Sequence, residues 1–206
     1  NMMQYPFRTT SRNTIEGVTP DQMISISLQI TLALAVSEGV CQFEHRDLHI
    51  CNVLVKSTKK EYVLFCLRSE TFAVKSFGVK AVIIDATFSR MAVGTEVFFT
   101  DLTNRLKGTA NLVEPDTQEL AYQRMYNTVG DRWRQWFPVT NIYWAKYFYG
   151  EIKVCDAFTV ASQMHRNKLD HMIETIDQFS YVFDFVKSIW PHFKDYYEHQ
   201  FQHQAS

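Results

Sequence analysis

His45-Arg46-Asp47-Leu48-His49-Ile50-Cys51-Asn52 is the stretch whose reading decides the fold of this 206-residue chain. Upstream of it, Thr19-Pro20-Asp21-Gln22 announces a helix, with Thr as N-cap, Pro at the first helical position and Gln placed to close a capping box. Met23, Ile26, Ile30, Ala33 and Ser37 then trace one mostly apolar or small face at helical spacing, and Gly39 suits the helix end. A buried helix is therefore expected to feed directly into the loop. Downstream, residues 52–55 read as a short apolar strand, and residues 62–66 and 71–74 as a hairpin around Leu67-Arg68-Ser69-Glu70. Residues 81–84 form a continuous apolar run, a buried strand that delivers Asp85 into a turn.

With 46% apolar residues, the chain can bury a substantial core and is expected to make one domain. A formal net charge of −1 gives no reason to expect strong nonspecific attraction to nucleic acid or anionic lipid. Cys41, Cys51, Cys66 and Cys155 are few and irregularly spaced, which favours a reducing compartment, nucleus or cytoplasm, without disulfides. The longest apolar stretch, residues 26–36, is interrupted by Ser27, Gln29 and Thr31 and falls short of the roughly twenty residues that span a bilayer, so no membrane segment is expected.

Residues 1–18 are polar and read as an arm, residues 19–198 as the domain and residues 199–206 as a flexible tail. From Asp85 to about Asp116 the pattern is irregular, with one apolar island at Val97-Phe98-Phe99. Beyond it, helices are expected at about 117–128, 139–149 and 162–189. In the last, Leu169, Met172, Ile173, Ile176, Phe179, Phe183, Val186 and Trp190 fall on one stripe, read as core, and Pro191 ends the helix.

The spacing of Asp47 and Asn52 is that of a protein-kinase catalytic loop, and Ile83-Ile84-Asp85-Ala86-Thr87 resembles the strand and turn that carry a kinase's metal-binding aspartate. One kinase family fits better than the rest. Phe43-Glu44-His45-Arg46-Asp47-Leu48-His49, Asn52-Val53-Leu54-Val55-Lys56 and Ile84-Asp85-Ala86-Thr87-Phe88-Ser89-Arg90 resemble haspin, an atypical Ser/Thr kinase. Arg132-Trp133, Pro138, Asn141, Trp144 and Tyr147 echo its C-terminal helices, so the likeness covers roughly residues 20–155.

The resemblance implies a mainly α fold with short β hairpins, a protein-kinase-like C-lobe in which residues 85–116 are the activation segment. It makes Asp47 the catalytic base, His45 and Arg46 the loop scaffold, Asn52 and Asp85 the Mg²⁺ ligands, and Leu54 a nucleotide contact. Those residue types suit phosphoryl transfer, which needs hard oxygen ligands for the metal and a carboxylate within reach of the attacking hydroxyl.

The departures from the family are equally specific. Before Asp47 the only glycines are Gly17 and Gly39, and the first lysine is Lys56, so this sequence shows no glycine-rich loop and no lysine to grip the triphosphate. The chain is expected to be a C-lobe lacking the N-lobe. Ala86 replaces the aromatic residue of the family's turn. Asn104, Arg105 and Lys107 stand near Asp101 where further acids would hold a basic histone tail, and Glu119-Leu120 stands where the family has an aspartate that braces the loop. The expected function is a truncated pseudokinase that binds or scaffolds protein, holding no Mg-ATP tightly. Its apolar upper surface, including Val53 and Leu54, would be covered by a protein partner or a second copy. The alternative is an active Ser/Thr kinase acting on a protein such as a histone, once an N-lobe completes it.

Two other chemistries match parts of the sequence. Cys41, His45, His49 and Cys51 are a zinc-like ligand set, weakened by the lack of a CxxC pair. Trp133, Trp136, Trp144 and Tyr147 lie among Arg132, Arg134 and Lys146 and could stack on single-stranded nucleic acid, but their helical spacing favours a buried core.

Overall fold

A computed structural model describes residues 5–6, 17–109 and 117–197. The element on which the rest is assembled is helix α1 (Pro20–Cys41), and its start follows from local chemistry. The Thr19 side chain accepts from the Gln22 N–H while the Gln22 side chain accepts from the Thr19 N–H at 2.9 Å, closing the capping box with Pro20 at the first position. Gly39 does not end the helix. The chain leaves through Gln42 in the left-handed region (φ 49°), with its N–H on Glu38 O and that of Phe43 on Ser37 O. Gly39 instead admits Leu67, whose Cδ1 would stand 3.2 Å from any Cβ there.

Helix α1 is buried on nearly every side rather than along one stripe: Met23, Ile24, Ile26, Leu28, Ile30, Leu32 and Leu34 all lie in the core. Each such side chain contributes about 1.5–3 kcal/mol on leaving water. At 22 residues the helix is long and apolar enough to cross a membrane, contrary to the expectation from residues 26–36, but its polar groups are matched to protein partners. Gln29 accepts from Ala81 N at 2.8 Å and donates to Val79 O at 3.2 Å, taking the place of a neighbouring strand, and Ser25 donates to Lys75 O at 2.6 Å. Those matched groups make it the central helix of the fold.

Three small antiparallel sheets lie along α1. In the first, β2 (Val53–Ser57) lies between β1 (Tyr5–Pro6) and β5 (Val79–Ile83), with Val53 opposite Ile83 and Val55 opposite Ala81. Of the expected N-terminal arm, then, Tyr5–Pro6 pairs as a strand; the tail at 199–206 lies outside the described residues. β3 (Tyr62–Leu67) and β4 (Glu70–Lys75) form the expected hairpin, with Arg68 at φ 55° in its turn. The segment after Asp85 is more regular than its sequence suggested: β6 (Arg90–Val93) and β7 (Glu96–Phe99) pair around Gly94 (φ 60°), followed by the single turn α2 (Thr103–Leu106).

The remaining helices close the core: α3 (Thr117–Val129), α4 (Val139–Val154), α5 (Gln163–Thr175) and α6 (Val182–Ile189). The single long helix expected over 162–189 is two helices, because the backbone turns extended at Phe179 (ψ 149°) and Tyr181 (ψ 135°). The apolar stripe runs through the break unaltered, since Leu169, Met172, Ile176 and Val186 all enter the same core. Pro191 likewise does not stop the chain, which continues as a 3₁₀ segment to Tyr196. Trp133 and Trp144 are buried, so these two indoles belong to the core rather than to a stacking surface. Val53, expected at an exposed upper surface, is fully buried within the main hydrophobic core, and Leu54 is half-buried. Several large apolar residues are exposed elsewhere, among them Val93 and Phe98 of the β6–β7 hairpin, each 55% accessible.

Candidate functional site

The loop after α1 is held by a buried ionic centre. Arg46 and Glu44 pair at 3.0 Å with both side chains fully buried, and Arg46 also donates to Trp133 O and Gln135 O. Glu44 takes further hydrogen bonds from Phe137 N and Thr140 Oγ1. Such a pair is tolerated only because nearly every polar atom finds a partner. Arg46 sits in the left-handed region (φ 65°), where a non-glycine residue persists only if its surroundings dictate it. Its side-chain bonds to residues on the far side of the core supply that constraint.

Asn52 is the hub that brings the candidate residues together. Its Nδ2 donates to Asp47 O at 2.8 Å, and its carbonyl accepts from Ile84 N at 2.9 Å, which ties the loop to the residue before Asp85. A second tie comes from His45, whose Nε2–H donates to Ile84 O at 3.0 Å while Nδ1 accepts from Asp47 N at 3.3 Å. Burial holds the His45 pKa below its ordinary value, which agrees with this neutral tautomer. Asp47, Asn52 and Asp85 therefore meet at one corner of the molecule, with His45 between them. Leu54 lies two residues beyond Asn52 in β2.

The two acids occupy different settings. The Asp47 side chain is 14% accessible, and its Oδ1 accepts from the Tyr122 hydroxyl of α3. Burial, and then the neighbouring Asp47 carboxylate, push the Tyr122 phenol above its usual range, so it remains a donor. Asp85 is exposed at φ 61°, and its Oδ1 accepts from both Thr87 N and Thr87 Oγ1, which hold its carboxyl below the usual value.

The donor set fits a hard divalent cation. Asn52 spends its Nδ2 on the loop backbone, leaving the amide oxygen as its available donor atom, and Asp85 offers a carboxylate oxygen. Mg²⁺ held by Asn52 and Asp85 would supply charge neutralisation for nucleotide phosphates. The zinc set does not gather: Cys41 donates to Ser37 O, both His45 nitrogens are engaged, and among the described residues no group of three His, Cys, Asp or Glu is placed to hold a metal.

Sequence reasoning missed the groups that brace the loop. Asn141 of α4 accepts from His45 N through Oδ1 at 3.0 Å and donates to Phe43 O and to the Glu38 carboxyl. This brace comes from α4, while Glu119 and Leu120 of α3, which stand where the family has an aspartate, are exposed. Tyr122 was missed as well. No local pattern marks either contact, because they join residues 96 and 75 positions apart.

Helices carrying small antiparallel sheets, a loop that presents Asp47 and Asn52, and an aspartate in the following turn are consistent with a protein-kinase-like fold. Comparison with known proteins identifies the branch: the haspin-like kinase domain matches residues 11–192. A serine/threonine-protein kinase haspin homolog of Drosophila melanogaster is 35% identical over 152 residues, covering 71% of this chain and 26% of the fly protein. The Arabidopsis thaliana homolog is 31% identical over 178 residues (85% of this chain, 28% of that protein), and haspin of Mus musculus 32% over 167 residues (79% and 22%). The chain belongs to the haspin-like kinase family and spans about a quarter of the length of these curated relatives.

Proposed function

We propose that this chain is the lower lobe of a haspin-like Ser/Thr protein kinase site, unable to transfer phosphate unaided and serving by itself as a protein-binding module. The observation that carries this reading is the Asn52 hub, which ties the loop bearing Asp47 to the turn bearing Asp85 while no lysine precedes the loop in this sequence. Asp47 is the base that takes the proton of a substrate hydroxyl, and Asn52 with Asp85 holds Mg²⁺. Leu54 contributes to the floor beneath a nucleotide whose triphosphate needs a cationic grip from another lobe.

A basic histone tail is a poor substrate for this surface. Asp101 is occupied in capping Thr103 N, and Arg105 lies over the Phe88 ring at 4.5 Å beside the Asp85 turn, placing positive charge where a cationic peptide would pass. A partner protein or second copy is expected over the apolar β6–β7 hairpin.

A second reading, a pseudokinase even when completed, is favoured by the Tyr122 hydroxyl on Asp47 and by Ala86 in the turn. A phosphotransfer assay separates the two. The chain alone is expected to label no protein, and the chain joined to the upper lobe of a family relative is expected to label Ser or Thr, with D47N abolishing it. Labelling by the chain alone would overturn the proposal; silence of the joined protein would select the pseudokinase.

A further inference from the structure

Glu38 is a carboxyl in an unusual place. It lies near the end of α1, 4% accessible, and takes no part in the ionic centre around Arg46. Its Oε1 accepts from Asn141 Nδ2 at 3.0 Å, and its Oε2 accepts from Val182 N at 3.0 Å at the start of α6, with the Phe183 N–H also directed at it. Asn141 has one amide to distribute. With its Nδ2 committed to Glu38 and to Phe43 O, its Oδ1 must face the His45 N–H, as found at 3.0 Å. A flipped amide would set Nδ2 against that N–H and leave both acceptors empty.

We propose that Glu38 is a positioning residue for the catalytic loop: its carboxyl fixes the Asn141 amide that holds His45, and thereby ties the loop bearing Asp47 to the first turn of α6. This rests on the reading of residues 45–52 as a catalytic loop, and it adds a control on that loop from the opposite side of the core. The connection is also sensitive to proton concentration. Burial pushes the Glu38 carboxyl up to about 8 against the pull of its N–H donors, and Glu44, itself paired with Arg46, is the charged group facing it from the loop. From α4 it meets the Asn141 amide, and from α6 the Val182 and Phe183 N–H groups.

The sign follows from linkage. A carboxyl that binds its proton more tightly in the closed network than when opened to water favours the closed form at low pH. That advantage is lost as pH rises from the solvated value of about 4.3 to about 8, by up to roughly tenfold per unit.

Amide hydrogen exchange on the whole chain tests this without nucleotide, and so independently of whether phosphate is ever transferred. The His45 amide, corrected for intrinsic exchange, is expected to lose protection steadily between about pH 5 and 8 in the wild type. E38Q, which carries no ionisable group there, is expected to flatten that profile. In E38A the same amide should exchange roughly tenfold faster or more at pH 6, while Leu169 in α5 changes much less. Wild-type and E38Q profiles with the same slope, or an E38A protein with His45 protection intact, would overturn the assignment. The first comparison decides even if E38A does not fold.

Discussion

The loop from His45 to Asn52 and the hairpin from Arg90 to Phe99 are joined by the Glu44–Arg90 bridge, yet they are built on opposite terms. In the loop the side chains of Arg46, His45 and Asn52 are buried, and each is matched to named partners on α4, on the turn before Asp85 or on the segment around Trp133. In the hairpin, Val93 and Phe98 stand open, and the side chain of the neighbouring exposed Asp85 takes its hydrogen bonds from Thr87 of its own turn. A base must be fixed before its substrate arrives, and buried polar networks fix geometry because a mismatched donor there is costly.

The largest effect should come from the loop's ionic centre. R46A strands Glu44 as a buried charge and is expected to cost about 3–5 kcal/mol by urea denaturation, or to prevent folding. N141A leaves the His45 N–H without its acceptor and Glu38 without one donor, for a loss of roughly 2–3 kcal/mol by the same measurement. Y122F removes one hydrogen bond to Asp47 and should cost about 1 kcal/mol. It also frees a carboxylate oxygen, so a completed kinase should gain rather than lose activity if the tyrosine occupies the place of the acceptor hydroxyl. At the other extreme, the paired change V93S with F98S should move stability by no more than about 0.5 kcal/mol, while weakening self-association or partner binding in sedimentation experiments. A hairpin change costing as much as N141A would erase the distinction between the two regions.

The legible and illegible parts of the chain divide along the same line. The loop and the Asp85 turn could be read because transfer chemistry demands particular residue types at fixed local spacing, and α1 announced itself through its Thr19 capping box. Asn141 and Glu38 carried no such mark, since a side chain that meets its partner 103 residues away leaves no periodicity. The break at Phe179 to Tyr181 was hidden for a related reason: two helices that pack on one core keep one stripe. The β6–β7 pair was obscured by exposed apolar residues that give no clean alternation, and Val53 was misplaced because the unbroken apolar run of residues 53–55 does not mark which face of the strand meets the core.

Isothermal titration calorimetry of this polypeptide with Mg-ATP tests the central claim most directly. Under the proposed reading, an amide and one carboxylate for the metal, with no lysine before the loop in this sequence, predict no saturable binding tighter than roughly 1 mM, a level worth about 4 kcal/mol. Heat that fits a single site with micromolar Kd, and that disappears in D85N, would show that the chain grips nucleotide on its own and would contradict the account.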